Sequence, residues 1–403
     1  MKELLNRIKE IAPDVKITGE DMTYFRIDRD DWTTDLEFDN SDITDIEAVL
    51  DDVKHCLSYS NLKNHGIYRH DYAEIVININ SSILWGQFYK GRFNSGDENT
   101  EEDESAEELF YDSDKIFFEI SYPSDDFERL INLYYSIDEP QEHLTTLQIH
   151  NINSVLLLNS DDDSATTRII LDIAKAILFD LNRKYDISLR LVNLSGLENS
   201  DEEDPLYDIC EKLEEIDKPT LNTIYDKDLV NYYYRAMTMD DNEFKYLAYY
   251  QVMECIFDEV FLHENVQDVK QIINSNKFSS YNDNDITQII RTIEQYNKNK
   301  LDRDKLKLVL EKYFRGDIHD EAYIIANKEI IDLLISMKLI QKENDFKDLQ
   351  RFTNIVYDYR CYCTHSNRTF PARTTYNKTN DELYNYLFLI QKTAERIITN
   401  YKT

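Results

Sequence analysis

The chain has 403 residues, 42% of them hydrophobic, with only 7 Gly and 6 Pro. That length exceeds one ordinary core, and the composition excludes both a disordered chain and a turn-dense β-sandwich. The net charge of −34 opposes a nucleic-acid partner if only the total is considered. The acidity is unevenly placed, however. Residues 226–403 carry 25 basic and 28 acidic side chains, a net of −3, which leaves 1–225 at −31. Within 360–403 there are 7 basic and 3 acidic side chains, a net of +4.

Taken in chain order, Glu3 to Ala12 predicts a short amphipathic helix. It lacks the apolar core of a signal peptide. The stretch MTYFRIDRDDWTTDLEF predicts one or two strands. Asp42 to Leu57 has helical spacing, with Ile43, Ile46, Val49, Leu50 and Val53 on one face and an acidic first turn suited to the helix dipole. Tyr72 to Leu84 places Ile75, Ile77 and Ile79 on one face of a strand. From Asp97 to Asp114 there are ten acidic side chains and no basic one, a pattern that reads as a solvated insertion or, more sharply, as an acidic segment that mimics a nucleic-acid backbone or covers a basic surface of the same protein.

Ile116 to Tyr122 and the apolar run Thr146 to Asn159 read as strands. Thr167 to Tyr185 is a helix by its Ile and Leu spacing, and Leu189 to Leu194 a further strand. The run Ser160 to Ser164 between strand and helix has no glycine and the wrong charge for a phosphate cradle, which excludes a P-loop or dinucleotide site. Ser195 to Pro205 reads as loop and Leu206 to Ile216 as a short helix, with a domain boundary at 218–226. His65 and His70 read as loop-surface residues.

Beyond the boundary the pattern is helical throughout. Helices are predicted over Asp228–Met237, Glu243–Leu262, Ile286–Tyr296, Lys305–Phe314, Ile324–Leu339, Asp348–His365 and Asp381–Tyr401. Helices joined by short links make a bundle. The expected fold class is therefore α+β with two domains: an acidic sheet-and-helix domain over 1–224 and an all-helical domain over 225–403.

The five Cys are odd in number and scattered at 56, 210, 255, 361 and 363. Free thiols in a reducing cytosol are expected, and a cytoplasmic location with them. No stretch approaches the ~20 apolar residues of a membrane span, so no membrane partner is expected. Cys361-x-Cys363 with His365 lacks a second Cys/His pair at finger-like spacing, so neither a zinc site nor any other metal or cofactor is expected.

The stretch FTNIVYDYRCYCTHSNR, residues 352–368, concentrates chemistry: Arg360, four residues, His365, then Ser366 and Asn367. RNA is cut without metal when its 2′-OH attacks the adjacent phosphorus. One group must take the hydroxyl proton, one must protonate the leaving 5′-oxygen, and a cation must stabilise the phosphorane. His, with an unperturbed pKa of ~6.5, suits either proton task, and Arg presents a permanently charged fork to phosphate. On a regular helix five positions turn by about 140° and rise by about 7.5 Å. The pair works together only if the helix loosens near Thr364 or a second subunit completes the site. Ordinary structural roles for Arg360 are an ion pair with Glu254 or Asp358.

This motif in its helical setting resembles the Arg-x4-6-His signature of the HEPN family. Tyr249-Tyr250-Gln251-Val252-Met253-Glu254 is similar to the aromatic-plus-Glu helix that many members place before it. One departure is Cys361, where many members have Asn, Asp or His after the Arg; it reads as a structural position. The resemblance implies a HEPN-like bundle that dimerises through the C-terminal domain so that two motifs line one groove. It also implies a metal-independent endoribonuclease in a toxin-like, abortive-infection or other anti-phage setting. Arg360 and His365 are then the catalytic pair, with Glu254, Tyr357, Asn367, Arg368 and Arg373 in RNA-binding or supporting positions. Tyr359, Tyr362 and Tyr376 are further candidates for stacking on bases, and Lys378 for holding the RNA backbone. The acidic first domain is expected to receive a trigger or regulatory partner. Rival readings are a catalytically silent HEPN scaffold, and a protein whose active part is the first domain.

Overall fold

A computed structural model of the chain describes residues 6–7, 10, 16–18, 24–29, 32–37, 50–51, 54–55, 58–62, 64–79, 109–112, 117–128, 130, 144–152, 163–194, 225–298, 301–316, 320–347, 349–364 and 380–401. They belong to two compact units, Met1–Thr223 and Ile224–Thr403. An antiparallel sheet dominates the first and helices the second, so the fold is α+β.

In the first unit, β1 (Lys16–Thr18), β2 (Tyr24–Arg29) and β3 (Trp32–Glu37) form a small antiparallel sheet. The sequence reading anticipates β2 and β3 but not β1, whose three residues are too few to show alternation. Of the two helices predicted before residue 58, positions 6, 7 and 10 and positions 50–51 and 54–55 are helical.

The larger sheet contains β4 (Ser60–Asn61), β5 (Gly66–Arg69), β6 (Tyr72–Ile79), β7 (Leu109–Asp112), β8 (Phe117–Ser121), β9 (Thr145–His150) and β10 (Leu189–Leu191). Its order is β4-β5-β6-β9-β8-β7. Strand β6 is its centre. β9 pairs along one edge from Tyr72 to Ile77, while β5 and β10 share the other, at Tyr72–Ile75 and Ile77–Ile79 respectively. Both faces of β6 are buried from Tyr72 to Ile77.

Helix α1 (Asp163–Tyr185) links β9 to β10 and buries Ile170, Ala174, Ile177, Leu178 and Leu181. Strand β7 is a correction: the end of the acidic run, read as a solvated insertion, pairs with β8 through Leu109, Phe110 and Tyr111. Strand β5 is another. His65, read as a loop-surface residue, is half-buried, and its Nδ1 lies 2.7 Å from the Val192 carbonyl beside β10. The predicted helix Leu206–Ile216, loop 195–205 and acidic residues 97–108 lie outside the described residues.

The second unit contains α2 (Lys227–Met237), α3 (Asn242–Cys255), α4 (Phe257–Ile273), α5 (Asp283–Lys298), α6 (Asp302–Phe314), α7 (Glu321–Ser336), α8 (Leu349–Thr364) and α9 (Asn380–Asn400). Aspartates start several of them. Asp226 accepts the amides of Asp228 and Leu229, Asp241 those of Glu243 and Phe244, and Asp320 that of Ala322, satisfying N–H groups that have no partner within the helix.

The single helix expected over Glu243–Leu262 is two. Ile256 leaves helical geometry at φ −105°, ψ 3°, and α4 restarts with Asp258 and Glu259 in its first turn. Apolar residues run on through the break with no Gly or Pro to mark it, so periodicity alone does not reveal it.

Helix α3 lies at the heart of this unit, packed against α2, α8 and α9. Tyr246 donates from Oη to the Val356 carbonyl at 2.9 Å and meets Tyr359 edge-on at 4.5 Å. Tyr359 in turn stacks on Tyr386 at 4.5 Å and 7°. Such aromatic pairs contribute about 0.5–1.5 kcal/mol each beyond burial, and here they fix α8 against α3. Among the described residues no helix is long and apolar enough to cross a membrane.

Candidate functional site

The site is built where the C-terminal end of α3 meets α8. Glu254 stands near the end of α3, and Arg360 one turn before the end of α8. Arg360 donates from Nη2 to Glu254 Oε1 at 3.3 Å, and its guanidinium lies 5.7 Å from the Tyr250 ring centre. Both charged side chains are half-buried. Of the two carboxylates suggested as partners for Arg360, Glu254 is the one engaged.

Asp358 pairs instead with Arg303 of α6, whose Nη1 also donates to Asn354 at 3.4 Å. The Arg303 guanidinium sits 4.7 Å from the Tyr357 ring centre. A half-buried Tyr357 thus lies against one arginine and feels the field of the other. Arg303 has no sequence signature. Its Asp302-Arg303-Asp304 setting reads as an ordinary charged helix start, and only packing of α6 on α8 brings it near.

The pair is electrostatically uneven. Burial pushes the Glu254 carboxyl pKa up, and the pull of Arg360 does not offset it. Burial also opposes charge on Arg360, but there Glu254 prevails and the guanidinium pKa is raised. Arg360 is therefore a fixed cation and Glu254 a reluctant anion. Beside them Tyr250 Oη is buried, with no hydrogen-bond partner among the described residues.

Comparison of the chain with protein-family models, with curated proteins and with solved structures finds no match.

The remaining candidates divide in two. His365, Asn367, Arg368, Arg373, Tyr376 and Lys378 lie outside the described residues. Tyr359 is 2% exposed and packed between rings, so its face is not open to a base, a correction to its reading as a stacking platform. Cys361 is buried, Cys363 half-buried and Cys255 exposed, all as free thiols. Helix α8 is described to Thr364, whose Oγ1 donates back to the carbonyls of Arg360 and Cys361 at 3.1 and 3.3 Å. The same bond occurs at Thr353 and Thr393 within continuous helices, so by itself it does not end α8.

Among the described residues no group of three or more His, Cys, Asp and Glu side chains is placed to hold a metal ion. A groove of about 650 Å³ between α4, α5 and α6, lined by Asp268, Gln271, Gln288, Gln295 and Glu311, includes neither Arg360 nor Glu254.

Proposed function

We propose that this chain is a metal-independent endoribonuclease of HEPN type, a toxin-like or anti-phage effector whose acidic first unit responds to a trigger or regulatory partner. Its helical unit is the homodimerising, RNA-cutting part. The observation that carries this reading is Arg360. It is a permanently charged fork held by Glu254 and the Tyr250 ring, half-buried, five residues before His365.

In the proposed reaction the RNA 2′-oxygen attacks the adjacent phosphorus, and the bond from phosphorus to the 5′-oxygen breaks. The hydroxyl proton passes to a base and another proton reaches the leaving oxygen. The ends are a 2′,3′-cyclic phosphate and a 5′-hydroxyl. His365 serves in proton transfer and Arg360 stabilises charge on the phosphorane. Tyr357 offers a ring for an unpaired base. The localisation that goes with this reading is cytoplasmic.

A second reading, the silent HEPN scaffold, is favoured by the same ion pair. Arg360 engaged by Glu254 is also what a purely structural arginine looks like.

The deciding measurement is gel analysis of total RNA incubated with purified protein in EDTA, with the 3′ ends chemically identified. Cleavage leaving cyclic phosphate, lost in both Arg360→Ala and His365→Ala, is the expected result. Cleavage that persists in both variants would refute the assignment, and cleavage abolished by EDTA would move the chemistry elsewhere. For an enzyme that needs its trigger, growth arrest on expression, relieved by His365→Ala, is the matching readout.

A further inference from the structure

Helices α4 and α5 form an antiparallel hairpin. Phe261 and Asp268 of α4 turn toward Tyr296 near the end of α5, by an edge-on ring contact of 5.5 Å and a hydrogen bond from the Tyr296 hydroxyl to Asp268. Other apolar side chains of the same helices remain exposed. Leu262 is 63% exposed, Val266 41% and Ile273 46% on α4, and Ile286 37%, Ile290 50% and Ile293 47% on α5.

At about 100° per residue, Leu262, Val266 and Ile273 form one stripe, and Ile286, Ile290 and Ile293 another. Each stripe is rotated in the same sense from the side its helix presents to the other. In an antiparallel pair that puts both on one side of the hairpin. The six residues together make an apolar patch in the range of the ~300–600 Å² that the largest patch on a typical monomer covers, a size that often marks a functional surface.

The flanks indicate what covers it. On the edge of the α4 stripe away from α5 stand His263 and Lys270, and on the outer edge of the α5 stripe stand Asp283 and Glu294, all exposed. A two-fold axis running along the hairpin lays α4 of one copy over α5 of the other. Lys270 of each copy then meets the acidic flank of the other, so the contact is made twice. Stacking α4 on α4 would instead oppose like charges.

We propose that the α4–α5 face is a self-complementary dimer interface that joins two copies of this chain as a four-helix layer. This rests on the dimer part of the proposed function and is independent of its nuclease chemistry.

The test is sedimentation equilibrium of the full chain across micromolar concentrations, with circular dichroism to confirm folding. The wild type is expected to be dimeric. Ile290→Glu and Ile293→Lys should each raise the dimer dissociation constant at least tenfold. Lys270→Glu should raise it severalfold, and adding Glu294→Lys should recover part of that loss, which no misfolding effect would do. A dimer indifferent to all these changes would overturn this interface while leaving dimerisation standing. A monomeric wild type would overturn both, whether the face is covered by the chain itself or binds anionic vesicles in co-sedimentation. RNA cleavage is read separately, so failure of the nuclease assignment leaves the result intact.

Discussion

Tyr250 and Glu254 lie one turn apart on α3, and both answer to Arg360. The Tyr250 hydroxyl is buried without a partner among the described residues, an arrangement that costs about 1–3 kcal/mol. Tyr250→Phe removes the cost and keeps the ring beneath Arg360. It is expected to raise the melting temperature by roughly 2–4 °C for each kcal/mol recovered in differential scanning calorimetry, and a lower melting temperature than wild type would show that the hydroxyl is satisfied. Glu254 is a different case. Its raised pKa means that the folded protein holds the proton where an unfolded chain has released it. Its titration therefore adds stability fully below the ordinary carboxylate value, and that stability is lost as pH rises through the raised one. Glu254→Gln is expected to leave the urea midpoint unchanged or higher at neutral pH, with no gain under acid conditions. A large neutral-pH loss would show that the ion pair stabilises more than burial costs.

Strand β6 carries the same problem in a stricter form. Glu74 is fully buried on it and accepts from Tyr72 Oη at 2.6 Å, Ser124 N at 2.9 Å, Ser124 Oγ at 2.5 Å and Thr146 Oγ1 at 2.9 Å. Glu74→Ala strands those donors and is expected to cost about 3 kcal/mol or more, read from the urea midpoint. Burial nonetheless pushes the Glu74 pKa up, so Glu74→Gln should flatten a decline in stability between the ordinary carboxylate value and the raised one. At Gly66 a Cβ would lie 1.9 Å from the Glu74 carbonyl oxygen. Gly66→Ala must part β5 from β6, and a variant as stable as wild type would contradict that packing.

How much of this was legible depends on periodicity. YAEIVINI announces β6, and the Ile and Leu spacing from Ile170 to Leu181 announces α1, because an apolar face repeats along each. Glu74 was not legible, since a carboxylate on an alternating strand reads as the solvent side until Ser124 and Thr146 close over it. In the site, Arg360 and Glu254 follow from chemistry and motif. Arg303 does not, because no motif marks it and only the packing of α6 on α8 brings it to Asn354 and Asp358.

Across the molecule, 79 acidic side chains face 45 basic ones, and such an excess strains any compact state by self-repulsion. Raising sodium chloride from about 0.01 M to 0.5 M, which shortens the screening length from ~30 Å to below ~8 Å, should raise the melting temperature. A fall would mean that local ion pairs outweigh the global field. The larger sheet also sets a timetable. Strand β6 ends at Ile79, but its neighbours β9 and β10 begin at Thr145 and Leu189. At roughly 5–20 residues per second on the ribosome, the β5–β6 hairpin waits about 3–13 s for β9 and longer for β10. Through that interval the Ile-rich edge of β6 has no partner from the strands that later cover it. Nascent chains arrested before residue 145 should therefore be the species that chaperones retain, and chains released past residue 194 should be largely free of them. For this protein the hazard of aggregation lies in synthesis, before the sheet has closed.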